Sequence, residues 1–164
     1  PYSGHHGYAA ETGHMIVDPD GLPCLCGGRG CLETVASATG VVTLAQRKMD
    51  SHPSSVLHSV GCSLTAKSIH GAALEGDPLS IEVFSEAGRY LGIACVNLIN
   101  LLDLEMIVIG GGLSAAGKLL LKSTRVEVQS HAYTQFFSDC RITISKLGND
   151  AGMIGAALLS MNRP

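Results

Sequence analysis

The sequence contains few aromatic and few charged residues. Tryptophan is absent from the 164 residues, aromatic residues make up 4% of them, and charged residues make up 15%. A core therefore has to be built mainly from aliphatic side chains and alanine. Hydrophobic residues nevertheless reach 46%, which excludes an intrinsically disordered chain. The length is sufficient for one domain with a sizeable core, and we predict a single domain over residues 1–164.

Two further absences restrict the class of function. The net charge is −3 and no stripe of lysine and arginine is visible, so we expect no contact with nucleic acid through this chain. No run of 18 apolar residues and no signal peptide occurs, so we expect no membrane contact and a cytoplasmic location. The sequence begins at Pro1 inside a glycine-rich segment, and we expect a piece of a longer protein.

Alternating strand and helix patterns predict an α/β fold. The longest helix has the clearest signals, with Asp77 as its N-cap, Pro78 at its first position and apolar residues at three- and four-residue steps up to Leu102. Short strands are predicted at residues 14–17, 106–109 and 141–145. Further helices are predicted at residues 32–37, 40–49, 65–76, 116–128 and 151–162.

The cysteines are unevenly distributed. Cys24, Cys26 and Cys31 fall within eight residues of one another among glycines, whereas the other three of the six cysteines are dispersed among apolar neighbours. This pattern favours a metal site in a reducing compartment, although free or disulfide-linked cysteines are the alternative. A structural zinc site needs four ligands, usually Cys and His. His14 is the expected fourth ligand, with the pair His5-His6 as its rival.

A second glycine-rich segment follows the predicted strand at residues 106–109. Gly110, Gly111 and Gly112 would let a nucleotide approach the backbone, or they form a plain tight turn. The glycines also match part of a dinucleotide-binding fingerprint. That fingerprint requires, in addition, an acidic residue about twenty positions further on, at the end of a second strand. The nearest candidate, Glu127, falls inside a predicted helix, which argues against that interpretation.

Several segments together resemble the repressor, ORF, kinase (ROK) family, and most closely its glucokinases. The cysteine motif is the most specific of them, and the resemblance spans nearly the whole chain. The segments are residues 11–14 (ETGH), 24–33 (CLCGGRGCLE), 36–40 (ASATG), 107–114 (IVIGGGLS) and 147–157 (LGNDAGMIGAA).

The resemblance implies an actin-like ATPase (ribonuclease H-like) fold, of which this chain would form the C-terminal lobe with an inserted zinc-binding loop at residues 14–33. It implies a structural zinc ion held by His14, Cys24, Cys26 and Cys31. The C-terminal helix would cross back toward the other lobe, so its apolar side chains would lack their partner in this chain.

The resemblance also implies a sugar kinase that uses ATP and Mg²⁺ to phosphorylate the 6-hydroxyl of a hexose or N-acetylhexosamine. Glu11, His14 and Glu33 would bind the sugar, although solvated surface is the alternative for the two glutamates. Residues 110–112 would contact ATP. The catalytic aspartate of the family has no match in this chain. The alternative function is a sugar-sensing repressor of the same family, and either protein would form a homo-oligomer.

Overall fold

The computed structural model describes residues 2–133 and 140–161, and its helices and strands form a mixed α/β arrangement. The elements, joined by turns and short 3₁₀ segments, are α1 (Ala38–Lys48), α2 (Ala66–Leu74), α3 (Pro78–Leu102), β1 (Met106–Ile109), α4 (Lys118–His131), β2 (Arg141–Ile144) and α5 (Ala151–Met161). None of the helices in the described part has the length and apolar character needed to cross a membrane.

Helix α3 lies at the centre of the core, as its sequence predicts. The Asp77 carboxylate accepts hydrogen bonds from the backbone N–H and the hydroxyl of Ser80 at 2.9 and 2.6 Å, which caps the helix. The helix ends at Leu102, and its C-cap Asp103 has a left-handed backbone. The predicted apolar face is largely confirmed, because most of its residues are buried. The fully buried side chains on this helix include Leu79, Val83, Phe84 and Ile99.

Helices α3 and α4 approach each other closely because two glycines of α3 face α4. A Cβ atom at Gly88 would lie 2.5 Å from the carbonyl oxygen of Leu120, and one at Gly92 would lie 2.5 Å from the Cβ of Glu127. The hydroxyl of Thr124 uses the short distance to donate a hydrogen bond to the Gly88 carbonyl at 2.9 Å. Neither position has room for a side chain.

We expect Gly88→Ala to lower the free energy of unfolding by about 1–3 kcal/mol, because the added methyl group forces α3 and α4 apart. Gly71→Ala is the matched control, since Gly71 lies in α2 and a Cβ atom there would have nothing within 4 Å of it. That change should stabilise the protein by about 0.5–1 kcal/mol. Urea denaturation of both variants measures the difference, and equal stability of Gly88→Ala and the wild type would contradict the close packing.

Strands β1 and β2 form a parallel pair with α4 as the crossover between them. The register places Ile107 opposite Ile142 and Ile109 opposite Ile144. Arg125 of α4 donates a hydrogen bond to the Ile142 carbonyl at 2.8 Å, which ties the helix to the sheet. This unit confirms the predicted β-α-β order, although α4 begins at Lys118 after a 3₁₀ turn rather than at residue 116.

The predictions for the region before α1 are less accurate. The strand predicted at residues 14–17 is wrong: Thr12–His14 is a 3₁₀ turn, and Ile16 forms only an isolated antiparallel bridge with Cys31. The helix predicted at residues 32–37 is reduced to a 3₁₀ turn at Leu32–Thr34. It stops early because Ser37 adopts an extended backbone and caps α1.

Helix α5 carries an exposed apolar surface. Met153, Ile154, Leu158 and Leu159 are between 37% and 69% exposed, which confirms that these side chains are uncovered in this chain. The helix runs to Met161, and residue 162 of the predicted helix lies outside the described residues.

Candidate functional site

Four predicted ligands meet in the segment between residues 14 and 33, which we name the cysteine loop. The ligand atoms of His14, Cys24, Cys26 and Cys31 all lie within 4.8 Å of one another. The Cys26 and Cys31 sulfurs are 3.7 Å apart, as are the Cys24 sulfur and the His14 Nδ1. In a tetrahedral zinc site with Zn–S bonds of about 2.3 Å, neighbouring sulfurs are roughly 3.8 Å apart. The cluster therefore has the composition and the dimensions of such a site.

The alternatives to this ligand set are not supported. Cys24, Cys26 and Cys31 are free thiols, not disulfides. The rings of His5 and His6 stack edge to face on each other at 4.4 Å and are not part of the cluster. Both residues are exposed.

Backbone hydrogen bonds curl the cysteine loop around the cluster. The Cys24 N–H donates to the Gly28 carbonyl at 2.9 Å, and the Gly27 N–H donates to the Cys24 carbonyl at 3.0 Å. The Arg29 side chain donates to the Gly21 carbonyl at 2.7 Å and closes the base of the loop.

A glycine is required at residue 30, where the second half of the cysteine loop lies directly against residues 17–18 of the first half. The Gly30 backbone has a φ of +71°, and a Cβ atom there would lie 1.6 Å from the carbonyl oxygen of Asp18. The Val17 and Asp18 N–H groups both donate to the Gly30 carbonyl, at 2.9 and 3.3 Å. These contacts hold Asp18 directly beside the residue that precedes the predicted ligand Cys31.

The three thiols of the cluster differ in acidity. The Cys24 thiol donates to the Glu33 carboxylate at 3.0 Å, and this bond raises the pKa of Cys24 to about 12. Burial raises the pKa of Cys31, whereas the Gly28 N–H lowers the pKa of Cys26. A metal ion binds thiolates, so it must compete with the proton that Cys24 shares with Glu33.

Of the two predicted glutamates, Glu33 contacts the cluster through its side chain. Its carboxylate is half-buried and lies 3.7 Å from the His14 Nδ1 as well as 3.0 Å from the Cys24 sulfur. Glu11 is exposed at the start of the 3₁₀ turn that carries His14, and its carbonyl accepts the His14 N–H at 3.0 Å. The structure thus places Glu11 beside the site through its backbone.

The predicted nucleotide segment forms a turn after β1. Gly111 has a φ of +81° and requires glycine, and the space around the Cβ positions of Gly111 and Gly112 is open. A Cβ at Gly110 would instead contact Ser145 and Ala151 at 3.7 Å. The Ser114 hydroxyl closes the turn by donating to the Gly111 carbonyl at 2.6 Å.

Sequence reasoning missed the attachment of the cysteine loop to the core. The hydroxyl of Tyr90 on α3 donates to the Asp18 carboxylate at 3.1 Å across 72 residues of sequence. No local pattern signals this pair, because Tyr90 is only one more residue of a largely buried helix.

Comparison with known proteins identifies relatives of two kinds. The chain is 43% identical over 163 residues to a glucokinase of Halalkalibacterium halodurans, and the match covers 95% of this chain and 48% of that protein. It is 35% identical over 149 residues to the DNA-binding transcriptional repressor Mlc of Escherichia coli, covering 91% of this chain and 36% of the repressor. The chain therefore spans about half, or less, of the length of these relatives.

A solved structure extends the likeness to three dimensions. The ROK family glucokinase of Streptomyces griseus, in complex with glucose and AMPPNP, superposes with a TM-score of 0.80 at 34% identity, covering 93% of this chain and 51% of that one. The sequence profile of the ROK family matches residues 1–163. The sequence resemblance is thereby confirmed, and this chain belongs to the ROK family.

Proposed function

We propose that the protein is a sugar kinase that transfers the γ-phosphoryl group of ATP to the 6-hydroxyl of a hexose or N-acetylhexosamine. In this proposal the chain is the C-terminal lobe of an actin-like ATPase fold. It supplies the zinc-binding cysteine loop and one side of the sugar pocket. The observation that carries the proposal is the contact of Glu33 with His14 and Cys24 of a Cys₃His cluster, in a chain similar to glucokinases.

The cluster would hold a structural zinc ion through His14, Cys24, Cys26 and Cys31. Such an ion links four side chains and thereby rigidifies a loop that otherwise has little regular structure. Because the His14 Nδ1 faces Cys24 at 3.7 Å, that nitrogen is the expected ligand atom. The Nε2 atom then carries the ring proton and is the nitrogen offered to a sugar hydroxyl.

Sugar recognition would depend on Glu11, His14 and Glu33. A carboxylate can accept hydrogen bonds from two neighbouring hydroxyls, so two glutamates suit a hexose ring. The Glu33 carboxylate lies against both the Cys24 sulfur and the His14 ring. The metal ligands would therefore hold the residues that bind the sugar.

Phosphoryl transfer also requires a catalytic base, which has no match in this chain. The open backbone at Gly111 and Gly112 supports a nucleotide contact there, and Gly110 would shape the turn. Mg²⁺ would neutralise the phosphates, and a general base would take the proton from the 6-hydroxyl. We propose that the base belongs to the part of the protein outside these 164 residues.

Glu33→Gln tests the sugar pocket in the full-length protein. The substitution keeps the shape of the side chain but replaces a charged acceptor, and we expect the Kd for glucose to rise about 5- to 150-fold. Isothermal titration calorimetry measures this change. Glu75→Gln, at an exposed position after α2, is the matched control and should bind normally. Unchanged glucose affinity in Glu33→Gln would show that the pocket is assigned wrongly.

A sugar-sensing repressor is the second candidate, because the similarity to Mlc extends over 149 residues at 35% identity. A coupled assay with ATP, Mg²⁺ and a panel of hexoses separates the two functions in the full-length protein. Turnover supports the kinase. Sugar-dependent DNA binding without turnover supports the repressor.

A further inference from the structure

The cysteine loop is joined to α3 by a single side-chain hydrogen bond. The Tyr90 hydroxyl donates to the Asp18 carboxylate at 3.1 Å. Within residues 2–133 and 140–161, no other side-chain hydrogen bond connects residues 14–33 to that helix. The loop therefore has one polar attachment to the most deeply buried element of the fold.

The attachment point lies inside the set of metal ligands. Asp18 stands between His14 and Cys24 in sequence, and its N–H donates to the Gly30 carbonyl at 3.3 Å. Because the Asp18 carbonyl also occupies the space beside Gly30, Asp18 cannot move without displacing Gly30 and the adjoining Cys31. Through its bond to Asp18, Tyr90 thus positions both halves of the cysteine loop, the one before Cys24 and the one that contains Gly30.

Apolar packing also holds the loop, because Val17 and Leu32 are buried in the same core as Phe84 of α3. Next to Asp18, an open pocket of about 330 Å³ lies between the loop and helices α1 and α3. Its lining includes Asp18 and Leu22 of the loop, Leu44 and Arg47 of α1, and Glu86 and Tyr90 of α3. Apolar packing fixes Val17 and Leu32, and the hydrogen bond from Tyr90 fixes Asp18 at the edge of this pocket.

Tyr90 itself is held firmly. Its side chain is 9% exposed, and the Arg89 guanidinium lies 4.4 Å from the centre of its ring. Burial, together with Asp18, raises the pKa of Tyr90, so the hydroxyl keeps its proton and remains a donor at neutral pH.

We infer that Tyr90 is a positioning residue for the metal and sugar site. Its hydroxyl holds Asp18, and through Asp18 the cysteine loop, in the geometry that brings His14 against Glu33. The part of this inference that concerns sugar binding rests on the proposed function. The part that concerns metal binding depends only on the cysteine cluster.

Tyr90→Phe in the full-length protein tests the inference, with Tyr2→Phe at an exposed position as the matched control. Tyr90→Phe should increase the rate of zinc release to a chelator and the KM for sugar by about 10-fold each, the scale of one hydrogen bond to a charged group. The KM for ATP should stay unchanged. Asp18→Ala should have at least these effects, because it also removes the acceptor of the Asp20 N–H, and the double variant should be no worse than Asp18→Ala.

The outcomes separate the inference from the proposed function. Wild-type zinc release and sugar KM in Tyr90→Phe would overturn the inference and leave the kinase intact. An equal rise of the KM for sugar and for ATP would also overturn it, because it would indicate general loosening. If the wild type neither binds nor phosphorylates any sugar, the proposed function fails, and zinc release alone then decides the role of Tyr90.

Discussion

Cys26→Ser should leave the protein without zinc, whereas the wild type should contain one zinc ion per chain. Three ligands cannot complete the tetrahedron of a structural site. A site saturated at about 1,000 times its Kd stabilises the folded state by about 4 kcal/mol, and the variant should lose stabilisation of that order. Elemental analysis and thermal unfolding of the purified protein measure the two effects.

Cys26 suits this experiment because its side chain is exposed, so the substitution removes a ligand without opening a cavity. Cys31 is 2% exposed, and its replacement would mix both effects. Cys140→Ser is the control, since this half-buried thiol lies outside the cluster and should keep its zinc. A wild-type protein that is folded, binds sugar and contains no metal would disprove the zinc site.

In the full-length protein, substitution of His14 should weaken sugar binding more than substitution of Glu33, because His14 is proposed to bind both the metal and the sugar. His14→Ala should lose zinc and weaken glucose binding by more than about 150-fold, which exceeds the cost of one unpaired hydroxyl. Calorimetry gives the affinity, and elemental analysis gives the metal content.

His14→Cys separates the two roles. A fourth thiolate can complete the zinc site but cannot offer an imidazole N–H to the sugar. We expect this variant to keep its zinc and still bind glucose weakly. Normal glucose affinity in His14→Cys would show that His14 does not contact the sugar. Zinc retained in His14→Ala would show that His14 is not a zinc ligand.

Local signals explain what can be predicted from the sequence. The start of α3 follows from Asp77 and Pro78, and its extent follows from the apolar residues that recur up to Leu102. The cluster of three cysteines and a histidine follows from their spacing along the chain. Both features are predictable because their chemistry is contained in short segments.

Long-range contacts explain what cannot be predicted. The apolar residues 15–17 indicate a strand, but the backbone there bonds across the loop, to the Gly30 carbonyl and the Leu32 N–H, and only a single bridge forms. The contact between Cys24 and Glu33 depends on how the loop closes. The bond between Tyr90 and Asp18 joins residues from elements with no shared pattern.

The bond between Asp18 and Tyr90 also sets an order of events during synthesis. Tyr90 is added 72 residues after Asp18, roughly 4–14 s later at ribosomal rates of about 5–20 residues per second. The four metal ligands all lie between residues 14 and 31, so they emerge together long before α3 does. In the proposed zinc site, the nascent loop would bind zinc before it is anchored, and it would dock onto the core as an already metallated unit.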